Sequence, residues 1–270
     1  MKRIYVILIS LLLFSCTETK TLTTASPTPP ESTLVPDGKL WSSLFHQKAA
    51  EYKALCLQAY NIARLRLDQA MEQPSSKPRA IITDIDETFL DNSPYAVRQA
   101  LQGKDYDPAT WQQWTDKGIA DTLTGALAFF NYAASKHVEI FYITNRRVAE
   151  KNGTMENLIR YGFPYADSNH LVLRKDGSSK ETRRQQVSAT HDIILLIGDN
   201  LADFSPLFDG RKTTDQRADA VQQLAAEFGK KFIVLPNINY GGWEEAVYGG
   251  NYNLTPAQKD SAIKSNLKSF

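Results

Sequence analysis

Five short, β-rich apolar runs, at residues 80–83, 138–144, 170–173, 193–197 and 232–235, are separated by amphipathic stretches long enough for helices. The runs are continuous rather than alternating, so each reads as a strand buried on both faces, which needs helices above and below its sheet. Strand and helix in turn predict βαβ units: an α/β fold with a doubly wound parallel sheet. Such a fold also predicts where chemistry occurs. Ligands bind beyond the carboxyl ends of the strands, so the polar residues that close each run are the candidates. No internal repeat is visible, and neither a P-loop nor a dinucleotide-type glycine loop occurs. A chain of 270 residues, 42% of them hydrophobic, has the means to fill such a core.

The first run ends Thr83-Asp84-Ile85-Asp86-Glu87-Thr88, with two carboxylates at a strand mouth. In an extended chain residues i and i+2 share a face, which lets Asp84 and Asp86 converge; two such acids repel unless a cation is near or one is protonated. Alone, such a triplet more often marks solvated loop acids and is a weak signal. The second run closes on Thr144, Asn145 and Arg146, and the fourth on Asp199, Asn200 and Asp203. Between them Lys180 opens an expected helix over 179–188, with Ser179 as its cap and a positive N-terminal end. The histidines, His46, His137, His170 and His191, lack zinc-ligand spacing.

Upstream, Phe45, Ala49, Tyr52, Cys56, Ala59, Ala63, Leu67 and Ala70 recur at spacings of three and four, predicting one long helix that stops at Pro74-Ser75-Ser76-Lys77-Pro78. Cys56 on that stripe reads as a small buried hydrophobe. Residues 17–39 are rich in Thr, Ser, Pro and Glu and read as an unfolded tether. Before them, Met1-Lys2-Arg3 and an apolar run over 4–14, too short for a bilayer of about 30 Å, have the form of a signal peptide. Lys and Arg total 31 against 30 Asp and Glu, which leaves no field for a polyanion and excludes nucleic-acid binding as the main task. Two cysteines exclude a disulfide framework.

In order and at strand ends, the four polar closures resemble the motifs of the haloacid dehalogenase (HAD) superfamily. More narrowly, residues 81–95, IITDIDETFLDNSPY, and residues 194–204, ILLIGDNLADF, resemble the bipartite signature of the class C acid phosphatases, secreted or lipid-anchored bacterial enzymes of the lipoprotein e type. The likeness continues through Glu51-Tyr52-Lys53-Ala54-Leu55 and from Leu235-Pro236-Asn237 to Trp243; Phe89 departs from the Val or Met usual there. It covers residues 40–250.

The resemblance implies a Rossmannoid core over 40–270 with a small, mainly helical cap inserted around residues 90–120. It also implies a Mg²⁺-dependent acid phosphatase. Asp84 would be the nucleophile and Asp86 the acid and base, with Thr144 and Lys180 donating to phosphoryl oxygens. Mg²⁺ would be held by the carboxylates of Asp84 and Asp199 and the main-chain carbonyl of Asp86, with Asp203 anchoring Lys180 or a metal-bound water. For Asn145 and Asn200, substrate contact and loop structure stand equal. The implied substrates are small phosphate monoesters, 5′-nucleotides or nicotinamide mononucleotide, with Trp111 and Tyr240 as a nucleoside platform. Tyr95, Tyr106 and Trp114 in the same insertion would stack on a base or pack the cap on the core. A broad aryl or sugar phosphate phosphatase and an inactive surface lipoprotein are the alternatives. Leu13-Phe14-Ser15-Cys16 resembles a lipobox, implying a signal peptide over 1–15, lipidation of Cys16, a tether over 16–39 and attachment outside the cytoplasm, with Thr17 favouring the outer membrane. Whether the chain forms a homodimer stays open.

Overall fold

The computed structural model describes residues 33–270, so the expected signal peptide, Cys16 and most of the expected tether lie outside the described residues. The described strands are β1 (Arg79–Thr83), β2 (Leu90–Asp91), β3 (Asp121–Thr122), β4 (Glu139–Arg147), β5 (Leu171–Arg174), β6 (Asp192–Gly198) and β7 (Phe232–Val234). Five of them build a parallel sheet in the order β5-β4-β1-β6-β7, matching the five apolar runs. Period-two alternation then sorts the side chains into two cores. Ile81, Ile140, Tyr142, Leu195 and Ile197 fill one face; Ala80, Ile82, Phe141, Ile143 and Leu196 fill the other. Each such large apolar side chain contributes about 1.5–3 kcal/mol by leaving water.

The helices are α1 (Leu34–Lys48), α2 (Ala50–Met71), α3 (Ser93–Ala100), α4 (Pro108–Thr115), α5 (Ala126–Ser135), α6 (Lys151–Tyr161), α7 (Glu181–Thr190), α8 (Thr214–Gln223), α9 (Gly242–Val247) and α10 (Pro256–Asn266). The stripe of α2, with Tyr52, Cys56, Ala59, Tyr60, Ala63 and Leu67, packs with Phe129 and Phe130 of α5 on the first face. Val187 of α7 packs on the second. The cap is the insertion after β1: α3 and α4, closed at its base by the antiparallel pair β2–β3. Asp107 caps α4 by accepting from the amides of Ala109 and Thr110, with Pro108 at the first helical position. Among the described residues no helix is long and apolar enough to cross a membrane.

Two expectations need correction. The helix read as continuous breaks at Ala49, whose φ of −71° and ψ of 128° are extended, and the buried His46 stacks on Tyr52 across the break with centroids 4.3 Å apart. The tether ends sooner than Lys39, because α1 begins at Leu34. Polar ties order it: Lys39 reaches Asp105 at 3.0 Å and Glu244 at 3.6 Å, and Ser42 donates to Asn239.

Candidate active site

The site lies where β1 and β6, central neighbours in the sheet, end together. The amide of Asp84 donates to the Ile197 carbonyl at 2.9 Å, carrying the ladder one residue past β1 and setting Asp84 beside the loop that follows β6. There, one carboxylate oxygen each from Asp84, Asp199 and Asp203 all lie within 4.8 Å of one another. Lys180, just before α7, enters from the side, its Nζ 2.5 Å from Asp84 and 2.7 Å from Asp203. Asp199 accepts from Thr88 at 3.2 Å and from Asn237 at 2.8 Å, and Asp203 also accepts from the Asn200 amide at 3.0 Å. Ser179 accepts from the Glu181 amide at 3.2 Å but is not the expected cap: α7 starts two residues later than the sequence suggests, with Lys180 at its N-cap and no side-chain cap bond.

Three clustered acids face one lysine, which pairs with Asp84 and Asp203, and the charges respond. Burial pushes the Asp84 carboxyl up to about 7, with Asp203 and Asp86 adding to the rise and Lys180 opposing it. Burial also carries Asp199 well above the usual carboxylate range, aided by Asp203 and Asp84. Burial disfavours the Lys180 ammonium, yet Asp203 and Asp84 hold it above its ordinary value. A lysine against three carboxylates leaves excess negative charge on hard oxygen donors, the set that suits a divalent cation of the Mg²⁺ or Ca²⁺ type. The residues present therefore fit such an ion.

Asp86 has a different environment. The chain does not stay extended past Asp84: Glu87 takes a φ of 52° and Asp86 bridges to Leu90. The Asp86 carboxylate turns to Arg146, with Nη2 at 2.7 Å and Nε at 3.0 and 3.2 Å, and to Asn92 at 2.9 Å. It is not part of the three-acid cluster, so any role there would fall to its main-chain carbonyl. Thr144 is fully buried, its Oγ1 accepting from the Arg146 amide at 3.0 Å. Asn145, between them, faces outward and accepts from Arg183 at 2.7 Å. Asn200 caps the turn after β6 by accepting from the Ala202 amide.

The two proposed platform rings do not pair. Trp111 packs edge-on to Tyr95 at 5.1 Å and against Tyr106 at 6.1 Å, while the Tyr240 hydroxyl donates to the buried Glu87. Arg146, Asn92, Glu87, Thr88, Arg183 and Asn237 are site residues to which the sequence reading attached no role. Arg146 alone carried a usable signal, since it lies two residues beyond Thr144 on the same side of β4.

Fold and site together define the class, a hydrolase of the HAD superfamily. A family model described as "HAD superfamily, subfamily IIIB (Acid phosphatase)" matches residues 31–243, and the chain belongs to that family of phosphoric monoester hydrolases. The crystal structure of a class C acid phosphatase from Bacillus anthracis with tungstate bound is similar at 42% identity and a TM-score of 0.84, covering 88% of this chain and 99% of that one. A further structure of the Bacillus anthracis class C acid phosphatase gives 43% identity, a TM-score of 0.84 and coverage of 87% and 99%. Acid phosphatase 1 of Solanum lycopersicum is 30% identical over 117 residues, 43% of this chain and 45% of its own length. A stem 31 kDa glycoprotein of Glycine max is 26% identical over 128 residues, 45% of this chain and 50% of its own. The chain spans about half the length of these curated relatives.

Proposed function

We propose that this chain is a Mg²⁺-dependent acid phosphatase that hydrolyses small phosphate monoesters, 5′-nucleotides or nicotinamide mononucleotide among them, through an aspartyl phosphate on Asp84. One observation carries the chemistry: two aspartates two residues apart are given opposite settings, Asp84 among acids and Lys180, Asp86 against Arg146 and Asn92. In the first step an Asp84 oxygen attacks phosphorus in line, the P–O ester bond breaks, and Asp86 gives its proton to the departing oxygen. In the second, water attacks the phosphorus, Asp86 takes its proton, and the Asp84–phosphoryl bond breaks to release phosphate. Lys180 and the Thr144 hydroxyl donate to the phosphoryl oxygens as charge develops. Asp84, Asp199, Asp203 and the Asp86 main-chain carbonyl would hold Mg²⁺, which when bound supplies positive charge against the phosphoryl oxygens. The tungstate in the Bacillus anthracis relative, an oxyanion shaped like phosphate, supports a phosphoryl site in this family.

Preference for a nucleotide is supported by the aromatic wall of the cap. Trp111, backed by Tyr95 and Tyr106, lies 5.9 Å from the Arg146 guanidinium carbon, and flat apolar rings near a phosphoryl site accept a planar base. Lipidation at Cys16 and work outside the cytoplasm, at the outer membrane, complete the proposal and rest on the sequence of residues 1–17. The test is phosphate release from a 5′-nucleotide and an aryl phosphate in mild acid, with Mg²⁺ or EDTA, beside Asp84→Asn. We expect Mg²⁺-dependent release that favours the nucleotide and falls about 10³-fold or more in the variant, without loss of fold. An active Asp84→Asn enzyme removes the covalent intermediate; equal rates on both esters remove the nucleotide preference; no release from either leaves a non-catalytic surface protein.

A further inference from the structure

The Asp86 carboxylate is gripped unevenly. Its Oδ1 accepts from Arg146 Nη2 at 2.7 Å, Asn92 Nδ2 at 2.9 Å and Arg146 Nε at 3.0 Å, whereas Oδ2 receives one long bond from Nε at 3.2 Å. Oδ1 is saturated, and Oδ2 is the oxygen left to meet a substrate. The guanidinium has only donors and cannot present the wrong polarity. Asn92 can: a primary amide turned by half a revolution keeps its shape and exchanges its oxygen for its nitrogen. Which end faces Asp86 is decided by what meets the other end, and that is the cap. Trp114 of α4 donates its Nε1–H to Asn92 Oδ1 at 2.8 Å. An indole N–H only donates, so it selects the carbonyl end and turns the NH₂ toward Asp86. Asn92 is buried, so its partners come from the chain itself.

We propose that Trp114 is a positioning residue for Asp86. The cap indole sets the Asn92 amide, and the amide, with Arg146, holds Oδ1 so that Oδ2 faces the ester oxygen. Without the indole, the flipped amide places an acceptor against Oδ1, and the carboxylate swings away. The inference rests on the reading of Asp86 as proton donor, and the experiment separates the two.

With the full-length enzyme, kcat/KM is measured for benzyl phosphate, whose alkoxide leaves poorly, and for 4-nitrophenyl phosphate, whose phenolate leaves well. This constant reports steps through ester cleavage, where only the poor leaving group depends strongly on a donated proton. Trp114→Phe keeps the ring and removes the donor. We expect it to lose about 10-fold or more on the benzyl ester and less than about twofold on the nitrophenyl ester. Asn92→Ala should show the same bias, and Trp114→Phe should add nothing in that background. Equal losses on both esters, or a further benzyl loss in the Asn92→Ala background, overturn the proposal. If Trp114→Phe does not fold, Asn92→Ala alone decides, and an equal loss on both esters overturns it. Asp86→Asn is the reference: no benzyl bias there defeats the proton-donor reading, whereas a bias there with none in Trp114→Phe defeats the positioning role alone.

Discussion

Gly198, the last residue of β6, tests how tightly the cluster is placed. A Cβ there would stand 2.3 Å from Asp203 Oδ2 and 2.6 Å from Asp203 Cβ, where carbon contacts ordinarily sit at about 3.5 Å. The strand cannot retreat, because the Gly198 carbonyl accepts from the Leu235 amide at 2.9 Å on the β7 side. Asp203 must therefore withdraw by about 1 Å, and it is the residue that holds Lys180 at 2.7 Å. Lys180 then either follows Asp203 away from Asp84 or keeps Asp84 and loses its second anion. A misplacement of that size costs about 10²-fold in turnover, and overpacking costs about 1–3 kcal/mol of stability. For Gly198→Ala we accordingly expect kcat on 4-nitrophenyl phosphate to drop about 100-fold and the melting temperature to fall by about 2–10 °C. Gly177→Ala is the control, since a Cβ there meets nothing within 4 Å. A Gly198→Ala enzyme with wild-type kcat would refute the reasoning, because the lysine would then be held independently of Asp203.

Two further outcomes concern the cation and the tether. Burial lifts Asp84 from 3.8 to about 7 and lifts Asp199 in the same direction, so the metal-free fold binds more protons than the unfolded chain through that window. EDTA-treated enzyme should lose melting temperature as pH rises from about 4 to 7, and the rise produced by added Mg²⁺ should grow over the same range; a Mg²⁺ shift independent of pH would mean these acids do not seat the ion. Cys16→Ala should release the enzyme from the membrane fraction with activity intact, and continued attachment would count against lipidation.

The strands were readable because nothing interrupts them. An unbroken apolar run between amphipathic stretches has few other uses, and Asp84 and Asp199 directly follow β1 and β6 for the same reason, although β4 runs three residues past Thr144 to Arg147. The N-terminal helix was not readable in that way: α1 is ordered by Lys39 to Asp105 and Ser42 to Asn239, contacts that no local pattern announces, and no glycine or proline marks the break at Ala49. The partners of the acids were hidden for a related reason. Arg146 reaches Asp86 across 60 residues, Trp114 reaches Asn92 across 22 and Asn237 reaches Asp199 across 38. Period and spacing state which way a side chain points, not which charge tertiary folding will set against it.

That distinction decides the chemistry. Asp84 and Asp86 are the same residue type, two positions apart, and a strand-period argument makes them equivalent. The turn at Glu87 and the return of β4 give one of them a lysine and two further acids, and the other a guanidinium and an amide. In the proposed mechanism the carboxylate among acids shares a cation and attacks, and the one gripped mainly through Oδ1 offers Oδ2 to the leaving group. Two settings thus arise for one residue type because the carboxyl end of β4 and the loop after β6 approach the motif from opposite sides of β1.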